Sequence, residues 1–156
     1  MTYEAFVDIF RTAAQGFVGP PNVAFHYDYV WFNNAQAQNN YPAMLFECSP
    51  DFEFKGQQQN GNPGLQTISG KLFFYDTYWE AEKIADGIGT EAAYRKQSRL
   101  NDIAITILGD INLGLEAAGV QRVKWGKGFM AKDVHNPRLV QITIDFQATL
   151  RVDCKI

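Results

Sequence analysis

The stretch from Leu139 to Ile156 alternates with a period of two: Val140, Ile142, Ile144, Phe146, Ala148, Leu150, Val152 and Cys154 against Gln141, Thr143, Asp145, Gln147, Thr149, Arg151 and Asp153. Successive side chains of a strand point to opposite faces, so this pattern predicts a long strand with one buried face and one face in water. A slip of one residue would expose the whole apolar row, which predicts a firmly fixed register. Near the other end, Tyr3, Phe6, Val7, Phe10, Ala13, Ala14 and Phe17 recur at spacings of three and four. That spacing gathers them on one stripe of a helix, with Thr2 as its cap and Gly16 as its end. Gly19-Pro20-Pro21 forbids continuation, because proline lacks the amide hydrogen and fixes φ.

Val23 to Phe32 alternates again, with Val23, Phe25, Tyr27, Tyr29 and Trp31 predicted to face inward, and Tyr41 to Cys48 has strand-like composition. The polar tract Asn33 to Asn40 joins them, which predicts a long, open hairpin. A second polar segment, Gln57 to Gly64, precedes a strand over Thr67 to Tyr78. From Glu91 to Ala118 the residues Leu100, Ile103, Ala104, Ile107, Leu108, Ile111, Leu115 and Ala118 fall on one helical face, with Thr90 as cap and Gly119 as terminator. Gly109 and Gly114 inside this helix imply either loose last turns or a close approach to a neighbour. Val120 to Lys132, a turn over Asp133 to Arg138, and the final strand make a closing hairpin. The pattern predicts a single α+β domain over residues 1–156, with an antiparallel sheet of about five strands packed against the long amphipathic helix and the N-terminal helix.

Composition adds one feature to this plan. A chain of 156 residues supports one core, and 46% hydrophobic with 20% charged residues is ordinary for a globular protein. Aromatic residues reach 14%, with twelve Phe, seven Tyr and three Trp, which suits either aromatic strands or contacts between chains. A net charge of -3 supplies no general attraction for nucleic acid or an anionic membrane. No apolar run reaches the length of a bilayer span, and Met1-Thr2-Tyr3-Glu4 lacks the features of a signal peptide, so synthesis and retention in the cytosol are expected. Cys48 and Cys154 lie in strand-like segments and read as small buried hydrophobes.

The search for chemistry yields no catalytic, cofactor or metal assignment. The chain has no phosphate-binding glycine loop, no nucleophile elbow and no Cys or His pair with metal-ligand spacing. Gly87-Ile88-Gly89 is a fragment of a dinucleotide fingerprint without its third glycine. His26 and His135 are far apart and each reads as structural. Asp76, Glu80, Glu82 and Asp86 surround Trp79 without calcium-loop spacing and read as a solvated acidic connection. Arg95 and Arg99 share an exposed helix face, with Lys96 between them, which either meets carboxylates on a partner or keeps the helix soluble.

The strand Thr67 to Tyr78 with its Asp76-Thr77-Tyr78-Trp79 exit, the helix through Leu100-Asn101-Asp102-Ile103, and the closing run Leu139 to Phe146 stand in an order similar to the tail-terminator and tail-completion (neck) proteins of long-tailed bacteriophages. The resemblance covers most of the chain and is one of element order. It implies a structural virion protein without enzymatic activity, made in the host cytoplasm and built into a homo-oligomeric ring, hexameric by that likeness, in contact with other tail or neck proteins. Trp31, Phe32, Tyr41 and Trp79 would then be aromatic anchors between subunits, joined by Arg95 and Arg99. Two other readings stay open. One is a ligand-binding or enzymatic domain whose pocket, under the long helix, is lined by Tyr27, Tyr29, Trp31, Phe73 and Tyr75. The other is an adaptor that offers a sheet edge to a peptide.

Overall fold

Thr2 opens the first helix as its sequence position requires: its hydroxyl accepts a hydrogen bond from the Ala5 amide at 3.1 Å. This helix, α1, spans Tyr3–Gln15 and buries Phe6, Val7, Phe10, Ala13 and Ala14, the predicted stripe. It belongs to a computed structural model that describes residues 1–17, 23–27, 42–47, 50–56, 61, 64–77, 89–132 and 139–151. The other described elements are β1 (Ala24–His26), β2 (Ala43–Phe46), β3 (Asp51–Lys55), β4 (Leu65–Thr77), α2 (Gly89–Ala117), β5 (Lys124–Lys132) and β6 (Leu139–Arg151). The chain is α+β, and among the described residues two helices are laid on one face of a mostly antiparallel sheet.

Six strands form that sheet in the order β1-β2-β4-β6-β5, with β3 pairing β4 beside β2. The strand β3 is an addition to the expected five. Its sequence, Asp-Phe-Glu-Phe-Lys, alternates correctly but is short and sits against the polar tract that follows it. A second correction concerns β1 and β2, which pair in parallel, Ala24 opposite Ala43 and His26 opposite Leu45, rather than as the expected open hairpin. Parallel neighbours need a crossover of a dozen or more residues, and the stretch between His26 and Ala43 is long enough to be one.

The central pair is β4 with β6, in unbroken register from Leu65 opposite Arg151 to Thr77 opposite Leu139. Their even-numbered residues, among them Ile68, Leu72, Phe74, Val140, Ile142, Phe146 and Leu150, join Met44 and Phe46 of β2 beneath the helices. Phe10 of α1 meets Phe46 edge-on at 5.1 Å between ring centres, and Phe146 lies 5.4 Å from Phe46. Edge-to-face contacts suit the ring quadrupole, so these aromatics contribute beyond the area they bury.

The opposite face was expected to meet water along β6, and it does so only in part. Thr143 is 2% exposed, and Leu45, Phe73 and Tyr75 form a second buried cluster on that side, with the Phe73 and Tyr75 rings stacked at 6.2 Å. A strand flanked on both edges is shielded at its middle whatever its polarity, and Thr143 stands directly across from Phe73. The far row returns to solvent at Gln147 and Arg151, while the register partners Lys71 and Asp145 make a solvent-screened ion pair at 3.9 Å.

Helix α2 ends as predicted at Gly119, whose φ of +73° is open to glycine at little cost. The amides of Gly119 and Val120 turn back to the carbonyls of Glu116 and Leu115 at 3.0 and 2.9 Å, the paired bonds of a Schellman cap. The chain then runs without strand pairing until Lys124, so β5 starts later than its composition suggests. The Asn112 side chain accepts from the Val123 amide at 2.9 Å and ties this exit to the helix. Of the two helix glycines, Gly114 serves a close approach: a Cβ there would lie 2.9 Å from Ile9 of α1, whereas Gly109 faces open space.

Candidate functional site

Four of the six predicted contact residues, Trp31, Phe32, Tyr41 and Trp79, lie outside the described residues. Arg95 and Arg99 are described, and both are exposed one turn apart on α2. Lys96 between them has a different job: its ammonium lies 4.0 Å from the carboxylate of Asp76, which is buried at the end of β4. This pair ties the first half of α2 to the end of β4.

The remaining candidates for chemistry are dispersed. Of the acidic group, Asp76 is occupied in this way, and Glu80, Glu82 and Asp86 lie outside the described residues, as do Cys48, Cys154 and His135. Among the described residues no three His, Cys, Asp or Glu side chains come together as a metal site. His26 sits on β1, where burial pushes its pKa below the ordinary 6.5 and favours the neutral imidazole. Gly89, the last residue of the glycine fragment, is the first residue of α2, and Gly87 and Ile88 fall outside the described residues.

The aromatic pocket does not assemble from the residues named for it. Tyr27 stacks on Phe46 at 5.6 Å on the helix side, and its hydroxyl lies 2.8 Å from that of Tyr3. Phe73 and Tyr75 belong to the cluster on the opposite face. Strand alternation separates them: Phe73 and Tyr75 are out of phase with Leu72 and Phe74, which lie under the helices. Tyr29 and Trp31 lie outside the described residues.

Two clefts are lined by described residues. One, of about 400 Å³, opens between α1 and α2, with Ile9, Ala13 and Gly114 along it and the carboxylates of Asp8 and Asp110 beside them. The other, of about 630 Å³, lies where Met1 and Ala5 approach the end of α2 and the strand ends at Leu65 and Arg151. Each mixes apolar walls with one or two charges.

Among the described residues, exposed apolar surface occurs in three places. Phe52, Phe54 and Leu65 lie on the β3–β4 ladder, Met130 lies on β5, and Tyr94, Ile105 and Leu113 lie on the outer side of α2. The predicted anchors, at the strand ends Trp31, Phe32 and Tyr41, at Trp79 and on the helix at Arg95 and Arg99, do not include these. The alternation in β3 was visible, but exposure depends on what covers a strand, and that is a property of the fold.

No helix among the described residues is long and apolar enough to cross a membrane. The chain matches no protein-family model and no curated protein.

Proposed function

We propose that the chain is a structural subunit of a bacteriophage tail or neck, assembled with further copies of itself into a ring. The observation that supports this reading is the distribution of its exposed hydrophobic side chains: Phe54 and Leu65 at one place, Met130 at a second, Ile105 and Leu113 at a third. A ligand site concentrates apolar surface in one concavity. A ring subunit is touched by a neighbour on each side and by the layers above and below, and needs apolar contact on several sides at once. The exposed Arg95 and Arg99 add a charged patch beside the third of these surfaces.

In this reading the virion is the protein's working location and other tail or neck proteins are its partners. Negative-stain microscopy and light scattering of the purified protein test it, together with mass spectrometry of virion proteins. A closed ring and presence in virions are the expected results. A protein that stays monomeric at high concentration and is absent from virions overturns it.

A further inference from the structure

The two helices run antiparallel, with Ile9 of α1 against Gly114 of α2, and Ala5 beside Ala118 just past the end of α2. That direction sets Asp110 on the α2 wall close to Ala13 on the α1 wall. Asp8 stands on the α1 wall, about 7 Å nearer the start of that helix by its rise. The cleft of about 400 Å³ between the helices thus has an apolar floor of Ile9, Ala13 and Gly114, and a carboxylate on each wall. Its described lining residues include no cation.

The surrounding charges leave this cleft negative. Arg11 pairs with Oδ1 of Asp8, and its guanidinium rests over the Phe25 ring at 5.3 Å. Phe25 belongs to β1, so Arg11 offsets Asp8 from the side of α1 that faces β1, away from α2. On α2, the exposed Asp102 is offset by Arg99 one turn before it, and Glu116 is held by Arg122 at 2.8 Å. Asp110 and the exposed Glu4 remain without such an offset along their helices. The last turn of α1, which reaches the cleft at Gly16, carries no basic residue to balance its terminal carbonyls.

We propose that this cleft is a docking site for an arginine or lysine side chain carried on an apolar segment of another protein. Docking of this kind goes beyond ring assembly and is independent of it. The aliphatic stem covers Ile9, Ala13 and Gly114 while the charged end reaches Asp110. Gly114 keeps the floor low, since a Cβ there would lie 2.9 Å from Ile9 and displace it. An acidic segment would meet Asp110 and the carbonyl end of α1, and a purely apolar one would strip water from Asp110 without replacing it. Leu113, 62% exposed on the outer side of α2 and next in the chain to Gly114, offers a seat to an apolar residue beside the cation. That seat favours a protein segment over a free amine.

Calorimetric titration of the full chain tests this with a short peptide of leucine and arginine at helical spacing, its leucine-glutamate counterpart, and arginine amide as a lone cation. Saturable binding of the arginine peptide is expected. Asp110→Lys, and Thr12→Trp, which fills the cleft from its wall, should each weaken it at least about tenfold, while Glu53→Lys on β3 leaves it unchanged. All three positions are exposed, and circular dichroism checks that each variant folds. Absence of saturable binding overturns the proposal, as does equal binding of the glutamate peptide or binding that survives both cleft variants. An equal loss in Glu53→Lys marks general charge attraction and overturns it too. Arginine amide that binds as tightly as the peptide removes the protein partner. Self-association of the wild-type chain that Asp110→Lys abolishes gives the cleft to a second copy and overturns the separate partner as well.

Discussion

β6 and β3 flank the same strand, and their fates differ. Both are antiparallel to β4, and both place aromatic side chains on the helix side, Phe146 in one and Phe52 and Phe54 in the other. Phe146 is 3% exposed, enclosed by Phe10 and Phe46, whereas Phe54 is 59% exposed. The helix layer makes the difference. It covers β6 along most of its length and reaches β3 at Tyr3, whose ring meets Phe52 edge-on at 5.7 Å. Binary pattern says which side of a strand is apolar; whether that side becomes core or contact surface depends on where the second layer stops.

The largest test of this contrast removes one ring from each strand. Phe146→Ala should cost about 3–5 kcal/mol in denaturant unfolding, the range for an aromatic lost from a closed core. Phe54→Ala should stay within about 0.5 kcal/mol. Equal costs would mean that β3 is covered after all. A smaller effect is expected where the ladder passes from β2 to β3. There Glu47 extends the pairing with its side chain, accepting from the Lys71 amide at 2.8 Å, and Gly70 leaves room for it. A Cβ on Gly70 would come within 3.1 Å of both the Glu47 carboxylate and the Phe146 ring. Gly70→Ala should therefore destabilise by about 1–3 kcal/mol. Gly64→Ala, whose nearest contact would be 3.8 Å away, should be nearly neutral by the same measurement.

The smallest effect belongs to β1, the other short outer strand. His26 has a depressed pKa caused by burial, so the unfolded chain binds its proton more readily than the fold does. Its contribution is complete above pH 6.5 and is lost as pH falls through 6.5 toward the folded value. Unfolding midpoints measured from pH 8 downward should decline there, with the decline reduced in His26→Gln. A decline of equal size in the variant would assign it to other groups.

Much of the fold was legible because periodicity and caps act locally. Thr2, Gly119, the α1 stripe and the even-numbered row of β6 each stand where spacing placed them. The parallel pairing of β1 with β2 was not legible, since two strands and a long connection fit either direction until the neighbours are known. Burial of Thr143 was hidden for a related reason: its hydroxyl is polar, and only the flanking of β6 by β4 and β5 puts it inside. The exposed surface was the least legible part. Arg95 and Arg99 were found from helical spacing, and Ile105 and Leu113 already fall off the predicted apolar face of that helix, but Phe54 and Met130 look like core residues in the sequence and become contact candidates only once the layers are in place.

The position of β6 also bears on how the molecule comes into being. It is the last described strand along the chain and yet lies between β4 and β5 in the sheet. A ribosome delivers β4 long before β6, so during synthesis Leu72, Phe74 and Phe46 wait without the strand that completes their layer. Sheets closed by such distant pairings form late, and their intermediates are prone to aggregate. A chain built this way commits to its tertiary structure only once β6 has been made, and its yield in a cell depends on how well the nascent hydrophobic strands are shielded until then.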